Sequence, residues 1–228
     1  MENKSLDKLT QYRLAYIESY FDIIFNELLS ESEKIYIGIK SRFCRFCGQS
    51  EPTVSFRNDA HAIPESIGNK RLILLEECDN CNTYFSNEFE NSFDKYTKPI
   101  RTMFGIKGKE KVPSYKSKNK TVRLDVNLSK HEIKVKGNES EVFEPNISEN
   151  HHLMTLHREP YKPLAVYKTL IKMILSILPH EELMGFESII DWVRYNKDAE
   201  SYIGPHFISQ RFTPGPSFGP GLYVIIFR

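Results

Sequence analysis

The sequence predicts an α+β fold, because three different residue patterns occur in separate parts of the chain. The four cysteines fall into two Cys-x2-Cys pairs, a spacing typical of short metal-binding fingers. Residues 122–135 alternate between apolar and polar side chains, which indicates a β-hairpin with one buried face. Residues 164–178 carry apolar side chains three or four positions apart, which indicates an amphipathic helix. A chain of 228 residues fits one large domain or two small ones.

The first element along the chain is predicted to be an amphipathic helix over residues 5–29. Ser5 has a side chain suited to the N-cap, and Asp7 lies in the first turn. The pattern favours a helix packed on the core, with a partner-binding helix as the alternative. Residues 35–39 follow as a predicted short strand. The apolar residues of the helix recur about three or four positions apart, namely Leu6, Leu9, Ile17, Phe21, Ile24 and Leu28.

All cysteines of the chain lie in the two pairs, Cys44 with Cys47 and Cys78 with Cys81. Each pair has the spacing of a zinc knuckle, a tight turn that points two sulfurs at one ion. Four thiolates suit tetrahedral Zn²⁺, with bonds of about 2.3 Å. A redox or disulfide pair is the alternative, but it would not require the second knuckle. The sequence therefore predicts a structural zinc site.

A helix is predicted to begin at Asn82, directly after the last cysteine. Phe85, Phe89 and Phe93 then recur every four residues, with Tyr96 three positions further on. Side chains spaced in this way share one face of a helix, so this aromatic stripe is predicted to pack into the core.

Charges are unevenly distributed, although the net charge is only +1. Residues 76–94 carry six acids and no base, whereas residues 98–123 carry nine lysines and arginines against one acid. Gly105, Gly108 and Pro113 favour a loop after Pro99 rather than a long helix. Such a loop is able to follow a phosphate backbone, and the alternative is a solvated loop that binds nothing. The predicted nucleic-acid contacts are Lys107, Lys109, Lys111, Lys116 and Lys118.

The C-terminal half is predicted to contain both helices and strands. Residues 137–150 are polar and acidic, which indicates a surface loop after the hairpin. The helix over residues 164–178 begins after Pro163 and ends before Pro179, and a second helix covers residues 186–195. Residues 222–227 form a predicted apolar strand, which is expected either to add to a sheet or to mark a truncated chain.

The segment between the cysteine pairs resembles a known family. It contains His61-Ala-Ile63-Pro64 and then Gly68-Asn69, and Asn82 follows Cys81. Over residues 43–96 these features resemble the HNH (His-Me finger, ββα-metal) endonucleases, in particular bacterial members with two zinc knuckles. The resemblance implies a treble-clef/ββα-metal zinc finger inside a mixed α+β domain, with an N-terminal helix and a C-terminal αβ region. The expected boundaries are 1–42, 43–97, 98–160 and 161–228.

The resemblance also implies a role for each residue. His61 would be the general base that activates water, and Asn82 would bind a catalytic Mg²⁺ or Mn²⁺ through its amide oxygen. The residue before the histidine is usually an acid or a histidine that binds this cation, but here it is Ala60. Asp59 is the nearest replacement, because residues two apart on a strand point to the same side. Other candidate carboxylates are Glu65 and Glu90.

Two functions remain open at this point. The first is a metal-dependent endonuclease that hydrolyses DNA, with RNA open as a substrate, in restriction or defence against phage. The alternative is a non-catalytic zinc-finger module that binds nucleic acid or a protein partner, and this reading gains weight if no carboxylate reaches the cation. Cutting both strands of a duplex needs two active sites, which would favour a homodimer. The sequence shows no signal-peptide pattern and no apolar run long enough to span a membrane, so we expect a cytoplasmic protein without a membrane partner.

Overall fold

The computed structural model describes residues 22–28, 33–127, 130, 132–146, 151–195 and 223–227, together with positions 12, 15, 16 and 19. Its strands are β1 (Ile23–Leu28), β2 (Ile35–Ile37), β3 (Leu72–Leu74), β4 (Tyr115–Lys116), β5 (Arg123–Asn127), β6 (Glu132–Lys136), β7 (Phe143–Asn146), β8 (His151–Met154) and β9 (Tyr223–Phe227). Its α-helices are α1 (Asp79–Phe85), α2 (Asn91–Met103), α3 (Pro163–Ile177) and α4 (Glu187–Tyr195). These mixed helices and small sheets confirm the predicted α+β class.

The described residues divide into two compact units. The first unit takes its residues from Met1–Ile63, Asn69–Asp79 and Lys172–Arg228, and the second from Pro64–Gly68 and Asn80–Ile171. Among the described residues, no helix has both the length and the apolar content needed to cross a membrane.

Two small sheets build the first unit. Strand β1 pairs antiparallel with β9, and β2 pairs parallel with β3. On its other side β3 receives residues 60–62. The Ala62 N–H donates to the Leu72 carbonyl at 3.1 Å, and the Leu74 N–H donates to the Ala60 carbonyl at 2.8 Å. Residues 60–62 and β3 thus pair antiparallel between the two cysteine pairs.

The predicted helix over residues 5–29 is wrong at its C-terminal end, which forms strand β1. Tyr12, Ala15 and Tyr16 are helical, and most of the remaining positions before residue 22 lie outside the described residues. Ile23 and Ile24 favour strands because β-branched side chains lose rotamer freedom in a helix, and the aromatic Phe25 also favours strands. Their partner is β9, at the far end of the sequence, so no local pattern could reveal it.

The aromatic helix of the second unit is confirmed, with a different start and end. It begins at Asp79 rather than Asn82, and a π-helical segment, Ser86–Glu90, joins α1 to α2. The Phe85 and Phe89 rings stack with their centroids 5.9 Å apart, and the stripe of Phe85, Phe89 and Phe93 is buried as predicted.

The loop predicted after Pro99 starts four residues later, because α2 continues through Pro99 to Met103. Side chains stabilise the helix around Pro99, which has no N–H to donate. The Arg101 guanidinium pairs with Asp94 and donates to the Ser66 carbonyl at 2.7 Å, and the Thr102 hydroxyl donates to the Lys98 carbonyl at 2.9 Å. Arg101 is therefore a buried structural cation and not part of a basic loop.

The predicted β-hairpin is confirmed as β5 and β6, and β4 adds a third antiparallel strand. Tyr115, Val122, Leu124 and Val142 form its buried cluster. The surface loop predicted over residues 137–150 is wrong in part, because Phe143–Asn146 pairs with β8. The polar residues and Pro145 hide this short strand, yet Val142 beside it is buried in the cluster.

Both C-terminal helices are confirmed, but α3 buries different residues from those that its pattern suggests. Lys168 and Lys172 are only 2% and 1% exposed, whereas Leu164 and Ile174 are each 45% exposed. Apolar periodicity located this helix correctly and misassigned its inner face.

The buried Lys168 gives a prediction about pH and stability. Burial lowers the pKa of Lys168 to about 8, against 10.5 for an ordinary lysine. Between pH 8 and pH 10.5 the unfolded chain therefore keeps a proton on Lys168 that the folded protein has lost. Below pH 8 the folded protein bears the full free-energy cost of burying the charged side chain. We expect Lys168→Met to raise the free energy of unfolding by about 1–3 kcal/mol at pH 7. In urea titrations this gain should shrink as the pH rises towards 10.5, and a gain independent of pH would contradict the prediction.

Candidate active site

His61 lies on the strand of the finger that pairs with β3, and its position follows from that pairing. His61 faces Ile73 in an antiparallel bridge, between the two ladder bonds of Ala60 and Ala62. Ala60 is 1% exposed, whereas Asp59 is exposed and His61 is half-buried. Successive side chains of a strand point to opposite faces, so Ala60 points into the core and the alternation predicts Asp59 and His61 on the other face.

Asn69 closes the loop that connects the two strands of the finger. Its side chain is fully buried, and its amide group donates to the carbonyls of Ile63 at 2.7 Å and Leu72 at 3.2 Å. Its oxygen accepts the N–H groups of Arg71 and Leu72, each at 3.0 Å. Gly68 before it has a φ of 101°, in the region that favours glycine. The Gly68-Asn69 sequence thus has a local structural cause.

We expect Asn69→Ala to destabilise the protein by about 2–4 kcal/mol, because it leaves several buried backbone groups without their partner. Asn69→Asp is the matched comparison, since it keeps the shape and the acceptor but turns the donor into an oxygen that faces two carbonyls. Chemical denaturation should find both variants less stable than wild type. An Asn69→Ala variant as stable as wild type would contradict this role.

The four cysteines form one compact group of free thiols. Their sulfurs all lie within 4.8 Å of one another, and those of Cys47 and Cys78 are 3.8 Å apart. Tetrahedral Zn²⁺ with four thiolate bonds of about 2.3 Å holds its sulfurs about 3.8 Å apart, so the group fits this ion. Cys44, Cys78 and Cys81 are completely buried, which suits a structural site closed to water.

Backbone hydrogen bonds hold the first knuckle in shape. The Gly48 N–H donates to the Cys44 carbonyl at 2.9 Å, and the Cys44 N–H donates to the Gln49 carbonyl at 2.8 Å. The second pair is tied to the first, because the Cys78 N–H points at the Cys44 sulfur at 3.4 Å. An N–H group aimed at a sulfur stabilises its thiolate form.

Two of the acids between residues 76 and 94 do not belong to a surface patch. Glu76 and Glu77 are 0% and 2% exposed. Glu76 pairs with Arg45 and contacts His180, whose Nδ1 is 2.8 Å from it. Arg45 lies between Cys44 and Cys47 and also donates to the Leu175 carbonyl at 2.7 Å. The acidic stretch therefore supports the knuckles from inside, which the sequence analysis did not foresee.

Asp79 organises the loop that leads into the histidine strand and was not among the predicted site residues. Its carboxylate accepts bonds from the Ser55 hydroxyl and from the N–H groups of Arg57 at 3.1 Å and Asn58 at 3.0 Å. Burial would raise the pKa of Asp79, but these hydrogen bonds outweigh it and hold the pKa below its usual value. An acid in the first turn of a helix was the available signal.

The other predicted site residues occupy varied positions. Asp59 forms an ion pair with Lys34, and both side chains are exposed to nearly half of their surface. Asn82 lies in the first turn of α1, partly exposed. Glu65 lies in a short 3-10 helix and Glu90 ends the π-helical segment. Among the described residues, no group of three or more His, Cys, Asp or Glu other than the cysteines converges as metal ligands do.

The predicted DNA contacts Lys107, Lys109, Lys111, Lys116 and Lys118 are all exposed.

Comparison with known proteins tests the resemblance. Residues 44–97, which include both cysteine pairs, His61 and Asn82, match a family model described as HNH endonuclease. The resemblance to the HNH endonucleases is confirmed over this segment. The HNH match supports a nuclease-type activity on nucleic acid at the level of the family and leaves residues 98–228 outside it. No curated protein and no solved structure matches the chain.

Proposed function

We propose that the chain is a metal-dependent endonuclease that hydrolyses DNA phosphodiester bonds. The observation that carries the proposal is the placement of His61, on a finger strand between two zinc-type cysteine pairs, inside the segment that matches the HNH model. Its role as general base, the cation ligands Asn82 and Asp59, and the DNA contacts are parts of this proposal.

His61 would take a proton from the attacking water. Imidazole is the side chain that most often serves as a general base in enzymes. The backbone pairing on β3 fixes the main chain of His61, which limits the positions of its ring. General-base help of this kind contributes about 10²- to 10⁴-fold to the rate.

A divalent cation, Mg²⁺ or Mn²⁺, would offset the negative charge that develops on the phosphate and the leaving oxygen. The residues proposed to hold it are Asn82, through its amide oxygen, and Asp59, through its carboxylate. Strand alternation predicts Asp59 on the same face of the strand as His61. Its ion pair with Lys34 is exposed, and such pairs contribute about 1 kcal/mol or less, so the carboxylate is able to turn away from Lys34.

The proposed DNA surface is narrower than the charge count of residues 98–123 suggests. Arg101 is buried, Lys98 pairs with Glu159, and Arg123 binds Asp125. The exposed lysines of the loop and of β4 remain as the source of phosphate contacts, which supply affinity without sequence readout.

Replacing Lys107, Lys109 and Lys111 together by glutamine should weaken DNA binding and flatten its salt dependence. Each phosphate contact that is lost lowers the slope of log K against log salt by about 0.9. The matched control replaces Lys130, Lys134 and Lys136, exposed lysines outside the proposed contacts, and it removes the same charge. Fluorescence anisotropy with a labelled duplex measures both slopes. Equal slopes for the two triple variants would place the DNA surface elsewhere.

The test of the proposal is plasmid nicking by zinc-loaded protein in a titration of Mg²⁺ and of Mn²⁺. Conversion of supercoiled plasmid to the nicked or linear form, dependent on the added cation, is the expected result. A parallel reaction with single-stranded RNA decides the substrate class. Restriction or defence against phage stays a prediction from the resemblance, and so do the cytoplasmic location and the dimer. Phage plating on cells that express wild type or His61→Ala tests the defence role.

A second candidate is a non-catalytic zinc-finger module that binds nucleic acid or protein. Ala60 in place of a ligand, and an Asp59 carboxylate paired with Lys34, favour it. This candidate predicts duplex binding by anisotropy together with no cleavage in Mg²⁺, Mn²⁺ or Ni²⁺. That outcome would reject the nuclease and keep the finger as a scaffold.

A further inference from the structure

A buried ion pair adjoins the strand of His61 and has no role in the chemistry proposed above. Lys172 of α3 and Glu77 lie with Nζ and Oε2 3.0 Å apart, and their side chains are 1% and 0% exposed. The same Nζ donates a hydrogen bond to the main-chain oxygen of His61 at 3.0 Å. One buried ammonium thus contacts both the proposed base and the residue before Cys78.

The pairing of the strand explains why the His61 carbonyl needs this donor. The ladder bonds to β3 are made by Ala60 and Ala62, so the N–H and C=O groups of His61 point away from β3. His61 therefore lies on the open edge of its strand, where a further strand would otherwise pair. Lys172 supplies to the carbonyl the hydrogen bond that such a strand would give.

A buried ion pair is a poor source of stability, because desolvation of the two charges offsets their attraction. Its effect here is geometric. Lys172 holds the His61 carbonyl from the edge while β3 holds the neighbouring residues from the other side. Glu77, which precedes a cysteine of the second knuckle, fixes the ammonium in turn. The backbone that carries the imidazole is thereby clamped on both sides.

We propose that Lys172 is a positioning residue for His61, and that it sets the place of the imidazole by holding its main-chain carbonyl. This inference rests on the proposed function in one respect, because the loss of the Lys172 contact is measured as a lower rate of cleavage. Misplacing a catalytic group by about 1 Å is able to lower a rate by about 100-fold, whereas substrate binding by surface lysines does not depend on that placement.

The decisive variant is Lys172→Met combined with Glu77→Gln, because Lys172→Met alone would leave a buried carboxylate without its counter-ion. Its comparison is Glu77→Gln, which keeps the donor to His61. We expect the double variant to have a kcat about 10- to 100-fold below that of Glu77→Gln, with unchanged KM, duplex Kd and zinc content. Lys168→Met, one turn earlier on α3 and equally buried, is the control that should turn over like wild type.

Hydrogen exchange of the Ala62 and Leu74 amides gives a readout that is independent of cleavage. Both amides make the ladder bonds of the His61 strand, so the double variant should exchange them faster while global stability matches that of Glu77→Gln. Should the double variant fail to fold, Lys172→Gln carries the comparison, because its side chain is one atom shorter, has no charge and keeps an N–H donor.

Equal kcat in the double variant and Glu77→Gln would overturn the positioning role. If wild type never cleaves, the proposed function fails by itself and exchange then decides the inference. Unchanged exchange at Ala62 and Leu74 would overturn it, and faster exchange confined to this strand would support it.

Discussion

Replacing His61 by alanine is expected to lower kcat for plasmid nicking by about 10²- to 10⁴-fold, since the attacking water then loses its general base. Duplex affinity should stay the same, because the proposed phosphate contacts come from exposed lysines elsewhere in the chain. His61 is half-buried and its Nδ1 atom is buried, whereas the core at this strand is made by the neighbouring Ala60 and Ala62. Removing the ring should therefore leave the fold and the zinc content intact.

The measurement is single-turnover cleavage of supercoiled plasmid at saturating protein, with zinc content and thermal unfolding determined on the same samples. His157→Ala is the matched control, because His157 is an exposed histidine outside the HNH segment. A His61→Ala variant that cuts as fast as wild type would remove His61 from the mechanism. If His157→Ala lost activity equally, the assay would be reporting a general loss of protein.

Local patterns predicted the finger well, because its determinants are close together in the sequence. The spacing of the cysteines within each pair is set by a single turn, and Phe85, Phe89 and Phe93 lie on neighbouring turns of one helix. That Asp59 and His61 share one face follows from strand periodicity and stays a prediction.

The features that the sequence did not reveal depend on partners far along the chain. Strand β1 was predicted as a helix because its partner strand, β9, lies near the other end of the sequence. No local pattern distinguishes Lys172 from a solvated lysine, because its acceptor on His61 lies 111 positions earlier. Glu77 belongs to a run of six acids, and its buried partner Lys172 is equally distant in the sequence. Periodicity reports which face of an element is apolar, and it carries no information on which buried charges meet.

Removing zinc is expected to unfold the finger and abolish cleavage together. Zn²⁺ held by four cysteines in small domains contributes about 10–16 kcal/mol of apparent binding free energy, which exceeds the stability of most domains. The sulfurs of Cys44, Cys47, Cys78 and Cys81 lie at tetrahedral spacing, and three of the four residues are completely buried. Without the ion, the buried sulfurs take up protons and lose the bonds that join the two cysteine pairs, so the two knuckles should separate.

Cys81→Ser and Cys81→His distinguish the effect of losing the metal from the effect of losing the thiol. Serine should lower the zinc content and the unfolding temperature, whereas histidine, itself a zinc ligand, should retain a large part of both. Reaction of the native protein with a thiol reagent should be slow for all four cysteines and become fast after a strong chelator is added. Full thermal stability and slow labelling in metal-free, reduced protein would rule out a structural zinc. Because His61 lies between the two knuckles in the sequence, loss of zinc should also speed hydrogen exchange at the Ala62 amide. The double variant Lys172→Met with Glu77→Gln should speed the same exchange while zinc is still bound.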